Sequence, residues 1–172
     1  MTLMSEPVVA LAAPAKAHIT LFKQDVDAVT LNTDLLAWVS RSKQTVTSDF
    51  GTDEKLDATG HGLVNTDRVI ITSSAGDVPA GLSQDVVYFV VNKTTNDFEV
   101  SLSSGGSAVN ITDNGTGTHS VHAVTAVTLV DEGTYSSYDI IAASVDISAQ
   151  PSDTDMVLFV QSKNSKDMKI HG

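Results

Sequence analysis

The 172-residue chain carries five histidines and 21 carboxylates but no cysteine. Thiolate ligands, thiol nucleophiles and disulfides are therefore excluded, and the first candidates for chemistry are the imidazole, carboxylate and hydroxyl groups. His119 and His122 stand three apart. Successive side chains of a strand alternate between faces, so this pair points opposite ways and does not converge on one metal ion. His61 and Asp113 are the residues that could approach them in space, and the plainer reading is of imidazoles that order turns or sit at the surface. Asp25/Asp27 and Asp153/Asp155 are carboxylate pairs at i, i+2. Calcium takes roughly six to eight oxygen ligands, and neither stretch has the Gly and terminal Glu of an EF-hand loop. Both read as turn-forming aspartates, and nothing else in the sequence marks them as a glycosidase pair.

Serine, histidine and aspartate are abundant, but no G-x-S-x-G elbow is present. Gly105-Gly106 is followed by neither a helix pattern nor Lys-Ser/Thr, so it is not a phosphate loop. The expectation is a protein that is not an enzyme, with no catalytic residue, no cofactor and no metal. The better interaction candidates are Val8, Val9 and Leu11 in an apolar N-terminal arm, and Tyr135 and Tyr138 in the loop TYSSYD. Trp38 sits in an apolar run and reads as a core anchor.

The elements that would position these residues are strands. Val, Ile and Thr make up 49 of the 172 residues, and β-branched side chains favour a pleated surface. Residues 17–22, 29–33, 35–40, 67–72, 86–91, 97–102, 108–112, 119–124, 126–130, 139–147, 156–161 and 168–171 read as strands. A further strand start lies at 45–47. Period-2 alternation is clearest in 97–102, which forms a hairpin with 86–91. Asn114-Gly115 is a tight-turn dipeptide. Turns are also expected at 57–62 and 131–133. Pro7 and Pro14 make residues 1–16 an extended arm, with at most a weak helix at 8–13. Many short strands between turn signals suggest a sandwich or barrel.

The net charge is -11, and such a field repels a phosphate backbone, so nucleic acid is not an expected partner. No stretch reaches the ~18 apolar residues needed to span a bilayer, and the first residues lack a basic signal-peptide start. No membrane partner is expected. The Asn92, Asn110 and Asn114 sequons read as chance in a Thr-rich chain.

Two resemblances to phage structural modules stand on these residues. LFKQDVDAVTLNTDLLAWVSR (21–41) and VTLVDEGTYSSYDIIAASVDISAQPSDTDMVLFVQSKNSKDMKIHG (127–172) resemble two halves of a β-sandwich module of phage tail and fibre-type proteins. In that module a short DGG turn follows the segment ending here at Arg41. In this chain about 80 residues replace the turn. They resemble a second phage module, through GHGLVNTDRVIIT (60–72), VPAGLS (78–83), VYFVVNKTTNDFEVSLSSGG (87–106) and NGTGTH (114–119). That module occurs in capsid-decoration, tail and fibre proteins.

The resemblance implies an all-β chain: a jelly-roll-like β-sandwich formed by 17–44 plus 125–172, with a second small β domain, 45–124, inserted in a hairpin turn and an arm at 1–16. Insertion is tolerated where the two ends lie close together, as in a hairpin. It further implies a bacteriophage virion protein. The short chain and its arm favour a capsid decoration or cement protein on the capsid exterior, made in the bacterial host cytoplasm. Its partners would be the major capsid protein and copies of itself in a homotrimer, because cyclic oligomers suit virion symmetry. The alternative is a tail or fibre component bound to tail proteins: a tube, a tip or a receptor-binding adaptor.

Overall fold

The computed structural model describes residues 2–4, 16–24, 31–33, 35–48, 55–74, 76–84, 86–135, 138–146, 157–162 and 170–171. Among them every regular element is a β-strand. In chain order these are β1 (Thr2–Met4), β2 (Lys16–Gln24), β3 (Leu35–Ser48), β4 (Leu56–Asp57), β5 (Arg68–Ser73), β6 (Val87–Val91), β7 (Asp97–Ser101), β8 (His119–Val127), β9 (Leu129–Tyr135), β10 (Tyr138–Asp146), β11 (Val157–Ser162) and β12 (Ile170–His171). The chain divides into two compact units, Met1–Val39 with Thr125–Gly172, and Ser40–Val124.

The unit Ser40–Val124 is a closed barrel. Hydrogen-bonded neighbours run β3-β4-β7-β6-β5-β8, and β8 pairs back with β3. Six strands in alternating directions bring β8 antiparallel to β3, so closure leaves the ladder unbroken. Within it β5, β6 and β7 form a meander and β8 returns beside β5, a Greek-key order. The register places Leu56 opposite Phe98, Val90 opposite Val100, Val69 opposite Tyr88 and Ile71 opposite Val121. Those eight residues belong to one buried cluster, which Leu63, Val78, Leu82 and Ile111 from the connections also enter. The alternation in β6 and β7 follows from this. Tyr88, Val90, Phe98 and Val100 face inward and are buried, while Phe89 and Glu99 between them are only half-buried.

The turn from β6 to β7 is held by local bonds. Thr94 N donates to Asp97 O at 2.7 Å, and the Thr94 hydroxyl donates to Asp97 Oδ2 at 2.7 Å. Asn92 takes φ 48°, a left-handed conformation that Asn tolerates better than most residues. Lys55 Nζ lies 3.3 Å from Asp97 Oδ1. The Thr94 hydroxyl first, and Lys55 second, hold the Asp97 carboxyl below its ordinary range.

The other unit contains an antiparallel sheet in the order β12-β2-β10-β9. β10 and β2 pair over nine positions, from Tyr138 opposite Gln24 to Asp146 opposite Lys16. Separately, β11 pairs with β3 and with β1, Phe159 lying opposite Trp38 and Thr2 opposite Phe159. Asn32, at φ 61°, joins sequence-distant segments. Its Nδ2 donates to Leu129 O at 2.9 Å and its Oδ1 accepts from Leu129 N at 2.8 Å, so one side chain does the work of a strand pair.

Four local expectations are corrected. Residues 41–44 do not separate a strand at 35–40 from one starting at 45–47, since β3 runs unbroken for 14 residues. Leu56–Asp57 is a short strand, because Asp57 pairs with both Thr47 and Asp97, and the turn expected at 57–62 starts only after it. Residues 108–112 are not a strand. Val109 N bonds Val100 O at 2.7 Å and Thr112 N bonds Ala80 O at 2.9 Å, so the segment bridges two neighbours in place of running along one. The turn expected at 131–133 lies inside β9. There Thr134 opposes Asp139 and Asp131 opposes Ile141, so Glu132 and Gly133 face Ile140 alone. Asp131-Glu132-Gly133 thus marks a β-bulge, where an extra residue bends a strand without ending it.

Candidate functional site

Two places in the unit Ser40–Val124 gather polar side chains. The first lies where the connection from β5 to β6 meets the connection from β7 to β8. Each loop has backbone groups that no strand satisfies, and they satisfy one another. Thr116 N donates to Asp77 O at 2.8 Å, Asp77 N donates to Thr116 Oγ1 at 3.0 Å, and the Ser73 hydroxyl donates to Thr116 O at 2.7 Å. Asp113 Oδ1 accepts from Ala80 N at 2.9 Å and from Gly115 N at 2.8 Å. These two N–H groups hold the Asp113 carboxyl below the usual carboxylate range.

Glycine is needed where the two loops touch. A Cβ on Gly115, at φ +64°, would lie 2.5 Å from Asp77 O and 2.7 Å from Pro79 N. A Cβ on Gly81 would collide with the Asn110 carbonyl. The loops enclose an open groove of about 810 Å³, lined among others by Asp77, Gln84, Asp113, Asn114 and Thr116. Among the described residues, two carboxylates and no basic side chain line it. The local field therefore disfavours anions and suits neutral hydroxylated or cationic groups.

The second place is His122 on β8. Its Nδ1 lies 3.2 Å from Ser40 Oγ on β3 and its Nε2 lies 3.2 Å from Thr72 Oγ1 on β5. Ser40 Oγ also donates to Ser42 O at 3.1 Å. One arrangement satisfies these bonds together: Nδ1–H donates to Ser40, and the Thr72 hydroxyl donates to Nε2. The imidazole thus spans three neighbouring strands at the seam where the barrel closes. Burial, and then the charge of Lys43, push its pKa down from 6.5 to about 4. A serine beside an imidazole is the start of a nucleophilic dyad. Ser40 is 1% exposed and His122 is 4% exposed, however, so a substrate cannot reach this pair, and its geometry is that of a structural clamp.

The other histidines lie in different surroundings. His119 Nε2 donates to Asn114 O at 2.9 Å. His61 Nδ1 accepts from Leu63 N at 2.9 Å, and its ring meets Phe98 edge-on at 5.2 Å. His119 and His122 share no partner in these bonds. Among the described residues no group of three or more His, Cys, Asp or Glu could hold a metal ion.

Of the interaction candidates singled out from sequence, Tyr135 and Tyr138 fall within the described residues. Tyr135 ends β9, Tyr138 begins β10, and the two oppose each other in the ladder of these strands. At these two positions the expected loop is replaced by the ends of two paired strands. Val8, Val9, Leu11, Asp25, Asp27, Asp153 and Asp155 lie outside the described residues. Trp38 is only half-buried, and the buried positions of that run are its neighbours Ala37 and Val39. The groove and the His122 clamp were not found from sequence. Asn114-Gly115 and VPAGLS flagged their turns, but nothing local signals that the two turns touch.

No family model, no curated protein and no solved structure matches this chain.

Proposed function

We propose that the chain is a structural protein of a bacteriophage virion. In this reading it is a capsid decoration or cement protein that binds the assembled shell as a homotrimer and stabilises it. Its action is mechanical. A protein that binds only the assembled state shifts the equilibrium toward that state by mass action and needs no catalytic group.

The observation that carries the reading is where the phage-like residues fall. Asn32, in the first half of the split module, bonds Leu129 in the second half. The phage-like residues 60–119 supply β5, β6, β7 and most of the buried cluster of the unit Ser40–Val124. The resemblance therefore follows the folded units and their contacts. On this reading the first unit is the jelly-roll-like sandwich, and the second is a domain inserted in one of its hairpins.

The groove favours a second reading, a tail or fibre component whose inserted domain binds a receptor. Gold-labelled antibody against residues 45–124, viewed on intact virions, separates the two. Gold over the head is the expected result. Gold confined to the tail replaces the decoration reading with the second one. Absence of the chain from purified particles overturns both.

A further inference from the structure

Asn114-Gly115 is the one Asn-Gly step in the chain, and two contacts set around it have a chemical consequence. Glycine has no side chain to shield its nitrogen from the carboxamide of the residue before it. Asn114 Oδ1 accepts a hydrogen bond from the Ser48 hydroxyl at 2.8 Å. That bond draws electron density from the carboxamide carbon, and it is placed to stabilise the oxyanion formed when a nucleophile adds there. Gly115 N–H donates to Asp113 Oδ1 at 2.8 Å, so a carboxylate already accepts the proton that this nitrogen must lose. Asn114 is exposed, and solvent reaches the side chain.

We propose that Asn114 is a self-modification site, at which the Gly115 nitrogen closes on the Asn114 carboxamide and solvent water converts the ring to an aspartyl or isoaspartyl residue. In the first step the bond from Gly115 N to Asn114 Cγ forms and the Cγ–Nδ2 bond breaks. Nδ2 leaves as ammonia, taking up the proton released by the Gly115 nitrogen through Asp113. The product is a five-membered succinimide. In the second step water adds to one of its two carbonyl carbons and the ring C–N bond there breaks. No electron is gained or lost in either step. Opening at the side-chain carbonyl leaves aspartate. Opening at the main-chain carbonyl leaves isoaspartate, with one extra backbone carbon between residues 114 and 115.

Two effects compete. Asp77 O and Pro79 N leave no room for a Cβ on Gly115, and the Asn114 carbonyl is held by His119, which resists movement of the main chain. The Ser48 and Asp113 contacts activate the electrophile and the nucleophile. Ring closure requires the exposed Asn114 side chain to turn toward the Gly115 nitrogen, and on the proposal activation is the larger effect. The product bears on the groove, because Asn114 lines it. Modification adds a carboxylate there, and the isoaspartyl form lengthens the loop beside the Thr116–Asp77 bonds.

The test is to incubate the full chain at neutral pH and follow residue 114 by peptide mass spectrometry, with fragmentation that separates aspartate from isoaspartate. The reference is a synthetic peptide of residues 108–120. The expected result is a gain of one mass unit at Asn114, faster in the folded chain than in the peptide, and slowed several-fold by Ser48→Ala and by Asp113→Asn. Asp113→Asn also touches the loop, so its thermal melt is recorded. Ser48→Ala removes only a hydroxyl and carries the argument if the other variant is unfolded. An Asn114 that persists in the folded chain while the peptide is modified overturns the proposal, as does a Ser48→Ala variant that reacts as fast as the parent.

Discussion

Among the described residues, His122 bears most directly on the pH response of the barrel. Its folded pKa of about 4 lies below the ordinary 6.5, so the native barrel keeps a neutral imidazole that the unfolded chain would protonate. The unfolded state binds more protons between these two values, and stability rises with pH across that window. The contribution is fully present above 6.5 and is lost progressively as pH falls to about 4. At ~1.4 kcal/mol per unit, the shift corresponds to about 3 kcal/mol. Asp97 and Asp113 have pKa values held below 3.8, so their contributions are lost mainly at lower pH. Urea denaturation from pH 7 to pH 4 is expected to show a falling midpoint for the parent and a flatter profile for His122→Gln, which keeps hydrogen-bonding groups but cannot titrate. Equal slopes for the two proteins would remove His122 as the cause. The composition showed a histidine at this position but not its clamp, because Ser40 and Thr72 lie 82 and 50 residues away in sequence.

At the scale of elements, what local pattern controls was legible and what distant register controls was not. Residues 86–91 and 97–102 alternate with period 2, and the structure has β6 and β7 there, with Phe98 and Val100 turned inward. The segment 108–112 has equally good β-branched composition, but its neighbours offer it one hydrogen bond each. Composition reports the fit of a side chain to a sheet and says nothing of which edge is open. Asp131-Glu132-Gly133 carries the residues of a turn, and they serve as a bulge because β10 continues past them. Of the candidate sites, the Asn114-Gly115 turn was legible, while the groove depends on two loops about 35 residues apart meeting at Gly81 and Gly115. Two substitutions separate core from loop tip. Phe98 is 0% exposed and Leu102 is 68% exposed. Phe98→Ala is expected to cost ~3–5 kcal/mol, in the range of large-to-small core changes. Leu102→Ser is expected to stay within ~0.5 kcal/mol of the parent. Thermal melts of the two variants measure both, and a small loss at Phe98 would mean that its cluster is not the stabilising core.

For the whole molecule, the question is whether Ser40–Val124 is a domain in its own right. Among the described residues the unit has a closed ladder and a buried cluster drawn from its own residues. Its two ends lie on β3 and β8, which pair with each other. A segment whose ends are neighbours can be placed in a host turn, or taken out of it, with little loss of chain entropy. Size works against it, since a domain of this length buries a smaller share of its surface than a longer one and has a narrower margin of stability. The cluster, with Phe98, Leu56, Ile71 and Val90 all at 0% exposure, is the larger effect. Residues 40–124 expressed alone are therefore expected to give a dispersed amide NMR spectrum and a single cooperative melt. A collapsed spectrum would show that the barrel depends on the rest of the chain, and an inserted domain would then be the wrong description of how these residues evolved their fold. A folded fragment would supply the antigen with which the proposed place on virions is tested.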